Sequence, residues 1–343
     1  MTRKLEVTGK LEGLGDLLGR DDFVAMLNLP GANFCEKRAE LVQLPDGGLE
    51  QACKGCVTQP IKGSERLSLA GIKQVISYFA DNYGTRFITI NGRGDPFHPR
   101  LKAETLEKIS YAASRDMQAY VFTAGNNLDE STCMALAKYG TNVMISLFGN
   151  RFIDAAFFDG KSYAVSRRLP QSKGKLQDEH VIAENLRRLI WVYEQSENQP
   201  QEGMTRIGMN YVVSESDIAD SGAKVQALQA AANRDGIFFV CNTNFLPHAN
   251  PETQRQLEAV AHTYSDFNIR HTTAVDGQCQ MGAGSSATVD YDGELFRCPY
   301  MSGKGKGKFH RLTDPLRQEV IAGYLHDRAY ACVMRKTPVQ RDS

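Results

Sequence analysis

The feature that most constrains this chain is a run of alternating helical and strand-like segments between residues 67 and 241. Residues 67–83 repeat apolar side chains at helical spacing, and Arg86-Phe-Ile-Thr-Ile-Asn91 is a short β-branched run. The same pairing recurs: helix 101–114 with strand 118–123, helix 129–138 with strand 142–147, helix 180–195 with strand 207–213, helix 218–233 with strand 237–241. Phe23-Val-Ala-Met-Leu-Asn-Leu29, ended by Pro30-Gly31, supplies a strand ahead of the first helix. Strands separated by helices need crossover connections, and crossovers produce a parallel sheet. The expected fold is α/β: a partial (β/α)6 barrel over residues 23–265, behind a short leading segment, 1–22. The alternation fades after about residue 265, so 266–343 reads as a small C-terminal module.

Charge and hydropathy exclude several classes. Forty Lys and Arg balance forty Asp and Glu, which argues against holding nucleic acid by bulk electrostatics. No apolar run reaches the length of a membrane span. Met1-Thr-Arg-Lys-Leu-Glu6 continues into mixed polar sequence with no signal-peptide core, so the expected location is the cytoplasm. Eight cysteines in a reducing compartment point to metal binding or reactivity rather than disulfides.

Three of those cysteines, Cys35, Cys53 and Cys56, lie between the first strand and the first helix, spaced C-x17-C-x2-C. That long stretch has little periodicity, and long loops inside compact domains tend to be functional. A C-x2-C pair places two thiolates on one metal site. Zinc would want a fourth protein ligand, and this stretch holds no His. Three sulfurs with one position left suit a [4Fe–4S] cluster; a zinc knuckle and unpaired thiols stay open. After the second strand comes Asn91-Gly-Arg-Gly-Asp-Pro-Phe-His98, and after the third Thr123-Ala-Gly-Asn-Asn127. Ser146 ends the fourth. In α/β barrels the C-terminal strand ends carry the active site, and all these residues fall there.

This combination resembles the radical S-adenosylmethionine enzymes, which carry a three-cysteine loop after the first strand and a Gly-Gly-Glu-Pro-like segment after the second. Gly92-Arg-Gly-Asp-Pro96 is similar to that segment, with Asp95 in place of Glu. The loop departs from the family's C-x3-C-x2-C in its longer first spacing. The resemblance implies that Cys35, Cys53 and Cys56 bind three irons and that the fourth iron takes the amino and carboxylate groups of S-adenosylmethionine. It implies further that Gly92, Gly94 and Asp95 receive the methionine ammonium. Thr123, Ser146, Asn210 and Ser214 become candidate polar contacts to the cofactor, and Val213 with residues 241–244 candidate neighbours of the adenine.

A second cysteine group, Cys279, Cys298 and Cys332, falls in the C-terminal module. Ala287-Thr-Val-Asp290 and Glu294-Leu-Phe-Arg297 can pair as a hairpin over Asp292-Gly293. This resembles the SPASM and Twitch modules of the same family, and implies an auxiliary [4Fe–4S] cluster whose fourth ligand is Cys241, His310 or the substrate. Zinc around three thiols stays open. Cys241 has a second candidate role, as hydrogen donor to a substrate radical, and a packed strand-end thiol is the alternative to both. Cys133, in a helical stretch, reads as a packed thiol.

The implied chemistry is reductive cleavage of S-adenosylmethionine and hydrogen abstraction by the resulting 5′-deoxyadenosyl radical, leading to oxidation, epimerisation or rearrangement. An electron donor such as flavodoxin or ferredoxin is implied with it. Only about 22 residues precede the first strand, which favours a small polar metabolite, such as a sugar, nucleoside or amino-acid derivative. A peptide-modifying enzyme is the alternative within the family. Arg167, Arg168, Lys173 and Lys175 are candidate contacts to a phosphate or carboxylate. Outside the family, the alternatives are a zinc-binding interaction protein and a barrel hydrolase or lyase using Asp95 and His98.

Overall fold

The computed structural model describes residues 4–5, 14, 16–17, 20–31, 34–35, 40–43, 49–51, 66–147, 155–158, 175–176, 179–198, 204–243, 250–266, 274–275, 278–279, 286–297 and 305–327. The main sheet has eight strands. The six barrel strands run parallel: β1 (Met26–Asn28), β2 (Phe87–Ile90), β3 (Gln118–Thr123), β4 (Asn142–Leu147), β5 (Ile207–Val213) and β6 (Phe238–Thr243). The hairpin β7 (Ser286–Val289) and β8 (Leu295–Phe296) completes it. The order is β6-β5-β4-β3-β2-β1-β7-β8. Strands β1 to β6 sit side by side in chain order, which is the winding of a partial barrel. The hairpin extends the same sheet, β7 pairing parallel to β1 with Thr288 opposite Asn28.

The crossover helices are α1 (Leu69–Tyr83), α2 (Lys102–Ala113), α3 (Glu130–Lys138), α4 (Glu179–Glu194) and α5 (Ala223–Arg234), followed by α6 (Pro251–Thr263) and α7 (Pro315–Leu325). Their ends are written locally. Ser68 accepts from the Gly71 N–H at 3.1 Å to start α1, and Gly84 ends it in a left-handed conformation at φ 57°. Asp129 caps α3 through the Thr132 N–H at 2.9 Å. Asn250 caps α6, with Pro251 in its first turn.

Two expectations differ from the fold. The single helix expected over 218–233 is two, because Ser221 and Gly222 take φ 57° and 78° between Glu215–Ala219 and α5. Such angles cannot continue a right-handed helix. The stretch between β1 and α1, expected to be irregular, contains the strands Glu40–Gln43 and Leu49–Gln51, paired antiparallel. The first of these also pairs with Lys175–Leu176. The segment joining them includes Pro45-Asp-Gly-Gly48, residues of turn composition. Among the described residues, no helix is long and apolar enough to cross a membrane.

The sheet has two unlike faces. Alternate residues such as Ile88, Val121, Val143, Ile145, Met209 and Phe239 pack with the helices in one large core. The other set faces the barrel interior, where Met144, Phe238 and Val240 form a separate small cluster. Gly208 lies opposite Met144, and a Cβ there would stand 2.7 Å from the Met144 Cε. The glycine makes room for that methionine.

Helix α4 secures the turn after β3. The buried Asn185 amide donates to the carbonyls of Gly125 at 2.8 Å and Asn126 at 2.9 Å, and its oxygen accepts from Arg188 at 2.6 Å. Asn185→Leu is expected to lower stability by about 2 kcal/mol, because buried carbonyls lose their donor. Denaturant titration should show a lower midpoint with an unchanged slope, and an unchanged midpoint would remove Asn185 from this role.

Candidate cofactor site

The loop after β2 turns back on itself through three successive residues with positive φ: Gly92 at 83°, Arg93 at 51° and Gly94 at 152°. That turn delivers Asp95, 6% exposed, beneath the next loop. Its carboxylate accepts from the Phe97 N–H at 2.8 Å, the Ala124 N–H at 2.6 Å and the Thr123 hydroxyl at 3.0 Å to each oxygen. Thr123 in turn accepts from the Gly125 N–H at 3.1 Å. One carboxylate thus ties the loops after β2 and β3 together. Sequence reading singled out Asp95 and Thr123 separately and missed the bond between them.

The segment after β1 is laid against the same loop. The Asp95 N–H donates to the Phe34 carbonyl at 2.7 Å, and the Gly31 N–H to the Gly92 carbonyl at 3.2 Å. Cys35, next in the chain after Phe34, is therefore held at the C-terminal ends of β1 and β2, and it is partly exposed. Phe34 stacks on His98 with ring centroids 5.5 Å apart, and the Arg100 guanidinium lies 5.1 Å from the Phe34 ring. The His98 Nδ1 accepts from the Arg100 N–H at 3.2 Å. Asp95 is thus engaged with the loops after β2 and β3, and His98 with its own loop and Phe34, which weighs against the acid–base reading of that pair.

Ser146 and Asn210 stand in register on β4 and β5. Asn210 accepts from the amide of Asn242 on β6, so three strand ends carry uncharged polar side chains on the inner face. Sequence reading named the first two and not Asn242, although the alternation that puts Asn210 inside puts Asn242 there too. It also missed a polar row across β7, β1 and β2. Thr288, Asn28 and Thr89 lie in register, and Asn28 donates to the Ser286 hydroxyl at 2.7 Å and the Ala287 carbonyl at 3.1 Å. The Thr89 and Thr288 hydroxyls are buried without a hydrogen-bond partner among the described residues. Ser214 serves the start of its own helix: its N–H and its hydroxyl both donate to Asp217, at 2.8 and 2.9 Å, just after β5.

Cys53, Cys56, Cys298 and Cys332 lie outside the described residues, as do residues 159–174 of the basic stretch. Cys279 lies in a two-residue strand opposite Ala274. His310 is exposed, in the short helix Phe309–Arg311. Among the described residues, no three His, Cys, Asp or Glu side chains converge as a metal site.

Cys241, read as a hydrogen donor, a cluster ligand or a packed strand-end thiol, sits where packing accounts for it. Along β6 the interior residues are Phe238, Val240 and Asn242, while Cys241 alternates to the helix side and packs in the large core. Its Sγ lies 3.8 Å from the Tyr264 carbonyl, to which it donates. Burial pushes this thiol far above the ordinary range, and Asp217 and Asp266 push the same way. Burial likewise pushes the Cys133 thiol up to about 12.

No family model matches this sequence, and no curated protein matches it. Solved structures do match in fold. Streptococcus suis SuiB bound to S-adenosylmethionine superposes with a TM-score of 0.53 at 12% identity, over 92% of this chain and 69% of that one. SuiB bound to its precursor peptide SuiA gives 0.54 at 11%, over 92% and 70%. Native anSMEcpe with bound S-adenosylmethionine gives 0.51 at 12%, over 86% and 80%. At these identities the likeness is one of fold.

Two outcomes test this geometry. Asp95→Ala is expected to destabilise the protein by about 2 kcal/mol, since it strands the buried Phe97 N–H and the partly buried Ala124 N–H together; a melt equal to wild type would contradict the hub. Both Cys133 and Cys241 should resist alkylation at pH 8, where burial keeps them protonated, and react once urea unfolds the chain. Mass spectrometry of labelled peptides reads the result, and rapid native labelling of Cys241 would restore it as an accessible thiol.

Proposed function

The chain has the fold of the radical S-adenosylmethionine enzymes, and we propose that it shares their chemistry. The observation that carries this reading is Cys35, pinned beside the Gly92–Asp95 turn by the 2.7 and 3.2 Å backbone bonds that join the two loops. A soft thiolate beside a glycine turn at the C-terminal end of a barrel suits an iron–sulfur cluster and a cofactor that approaches backbone closely.

Cys35, Cys53 and Cys56 would hold the cluster. When bound, cluster and S-adenosylmethionine would together supply the 5′-deoxyadenosyl radical that abstracts hydrogen from an unactivated carbon. The chain's own residues orient and enclose. Gly92 and Gly94 leave the turn open to the methionine ammonium. Asp95 shapes that turn from beneath, with its carboxylate accepting from Thr123, Ala124 and Phe97. Ser146 and Asn210, with Asn242, offer neutral hydrogen-bonding groups toward ribose or substrate. The buried inner face excludes water from the reacting carbon.

Residues 23–265 form the catalytic barrel in this reading, behind a leading segment, 1–22. Residues 266–343 form an auxiliary module in which Cys279, Cys298 and Cys332 hold a second [4Fe–4S] cluster. Flavodoxin or ferredoxin is the proposed electron donor. The ends of β4, β5 and β6 carry the uncharged polar side chains Ser146, Asn210 and Asn242 on the inner face, which supports a small hydroxyl- or amide-bearing metabolite as substrate. A peptide is the second reading, favoured by the fold shared with SuiB, whose structure is known with its precursor peptide.

Anaerobic reconstitution with iron and sulfide should give a brown protein that cleaves S-adenosylmethionine to 5′-deoxyadenosine. Replacing Cys35, Cys53 and Cys56 together with Ala should remove about four irons per chain, the content of one cluster, and abolish cleavage. Unchanged 5′-deoxyadenosine in the triple variant would refute the assignment, and a colourless zinc protein would replace it with a structural role. Turnover with hydroxylated metabolites against short peptides, followed by 5′-deoxyadenosine release, separates the two substrate classes.

A further inference from the structure

Arg93 contradicts its local backbone. It holds φ 51° between two glycines, a left-handed conformation that Gly adopts freely and Arg does not. It is also buried, at 8% exposure. A side chain so placed needs a tertiary contact to keep it there, and the partner lies 197 residues away. The Arg93 Nε donates to Asp290 Oδ1 at 2.9 Å and stands 2.7 Å from Oδ2.

Asp290 is presented rigidly. It is fully buried at the end of β7. Its N–H donates to the Glu294 carbonyl at 2.9 Å, its carbonyl accepts from the Gly293 N–H at 2.8 Å, and its Oδ1 also accepts from the Tyr291 N–H at 2.8 Å. Strand β7 is itself bound to β1. We infer that Arg93 is a positioning residue through which the C-terminal hairpin sets the shape of the Gly92–Asp95 turn: its ion pair with Asp290 holds residue 93 in the left-handed conformation. The inference rests on the proposed function only for the identity of the cofactor that meets the turn.

The physical reason is twofold. Without Asp290 the buried guanidinium would lose the carboxylate that offsets its desolvation, a loss that drives it toward water. As it left, residue 93 would relax toward a right-handed backbone, and the carbonyls of the turn would reorient. The hairpin, which lies between Cys279 and Cys298 in the sequence, thereby acts on the turn beside Cys35.

Comparing Arg93→Ala with Arg93→Gly isolates the conformation from the contact, because both remove the ion pair and only Gly tolerates positive φ. Hydrogen exchange of amides 92–95 is measured in the cofactor-free protein, and S-adenosylmethionine affinity in the reconstituted one. Arg93→Ala should speed exchange in the turn and weaken affinity by about five- to thirtyfold, the range set by the left-handed penalty. Arg93→Gly should stay within about twofold of wild type, since glycine needs no latch. Asp290→Asn should resemble Arg93→Ala in the turn while β7 stays protected. Equal losses in Ala and Gly, or no loss in Ala, would overturn the inference. If Asp290→Asn fails to fold, the two substitutions at residue 93 decide it. Wild-type protein that binds no S-adenosylmethionine would refute the proposed function, and the exchange data would still decide the positioning role.

Discussion

The C-terminal face of the barrel depends on one buried carboxylate. Asp95 gathers two N–H groups and a hydroxyl from two loops, while its own N–H reaches back to Phe34. A carboxylate buried without such donors would be heavily penalised. With them it becomes the organising centre for three segments that follow β1, β2 and β3. Cys35 and the glycine turn owe their proximity to the backbone bonds beside it, from the Asp95 N–H to Phe34 and from the Gly31 N–H to Gly92.

The second constraint is the central position of β1. This three-residue strand pairs with β2 on one side and β7 on the other. Asn28 extends the junction by bonding to Ser286. The C-terminal hairpin thus becomes part of the sheet rather than a tethered neighbour, and Asp290 arrives beside the turn after β2. Residues 305–308 follow the same logic: Lys308 bonds to Asp292, and the Gly307 N–H to Glu294 at 2.7 Å. These charge-assisted bonds close the segment over the hairpin.

Much of the barrel was legible because its signals are local. Strands β3, β4 and β5 begin and end where β-branched and aromatic runs do, and the helices follow their apolar spacing to within a residue or two. The split between the helix Glu215–Ala219 and α5 was not legible, because Ser221 and Gly222 could sit within a helix at modest cost. Helix α6 was missed, although Asn250-Pro251 is an ordinary start signal. The site was legible as residue types near strand ends and illegible as contacts. Cys241 shows why: alternation along β6 decides which way its thiol points, and a strand expected to end at 241 leaves that parity unanchored.

The sequence by itself determined the order of βα units, the parallel sheet, the loops at its C-terminal face and the donor chemistry of the cysteines. Each is set by periodicity, turn composition or side-chain type within a few residues. Only the tertiary structure decided that Asp95 serves its neighbouring loops, that Cys241 belongs to the helix layer, and that Asp290 meets Arg93. Those outcomes depend on register between strands distant in sequence and on which buried charge finds a partner. Both are settled by burial and electrostatics once the chain has closed, and no local pattern encodes them.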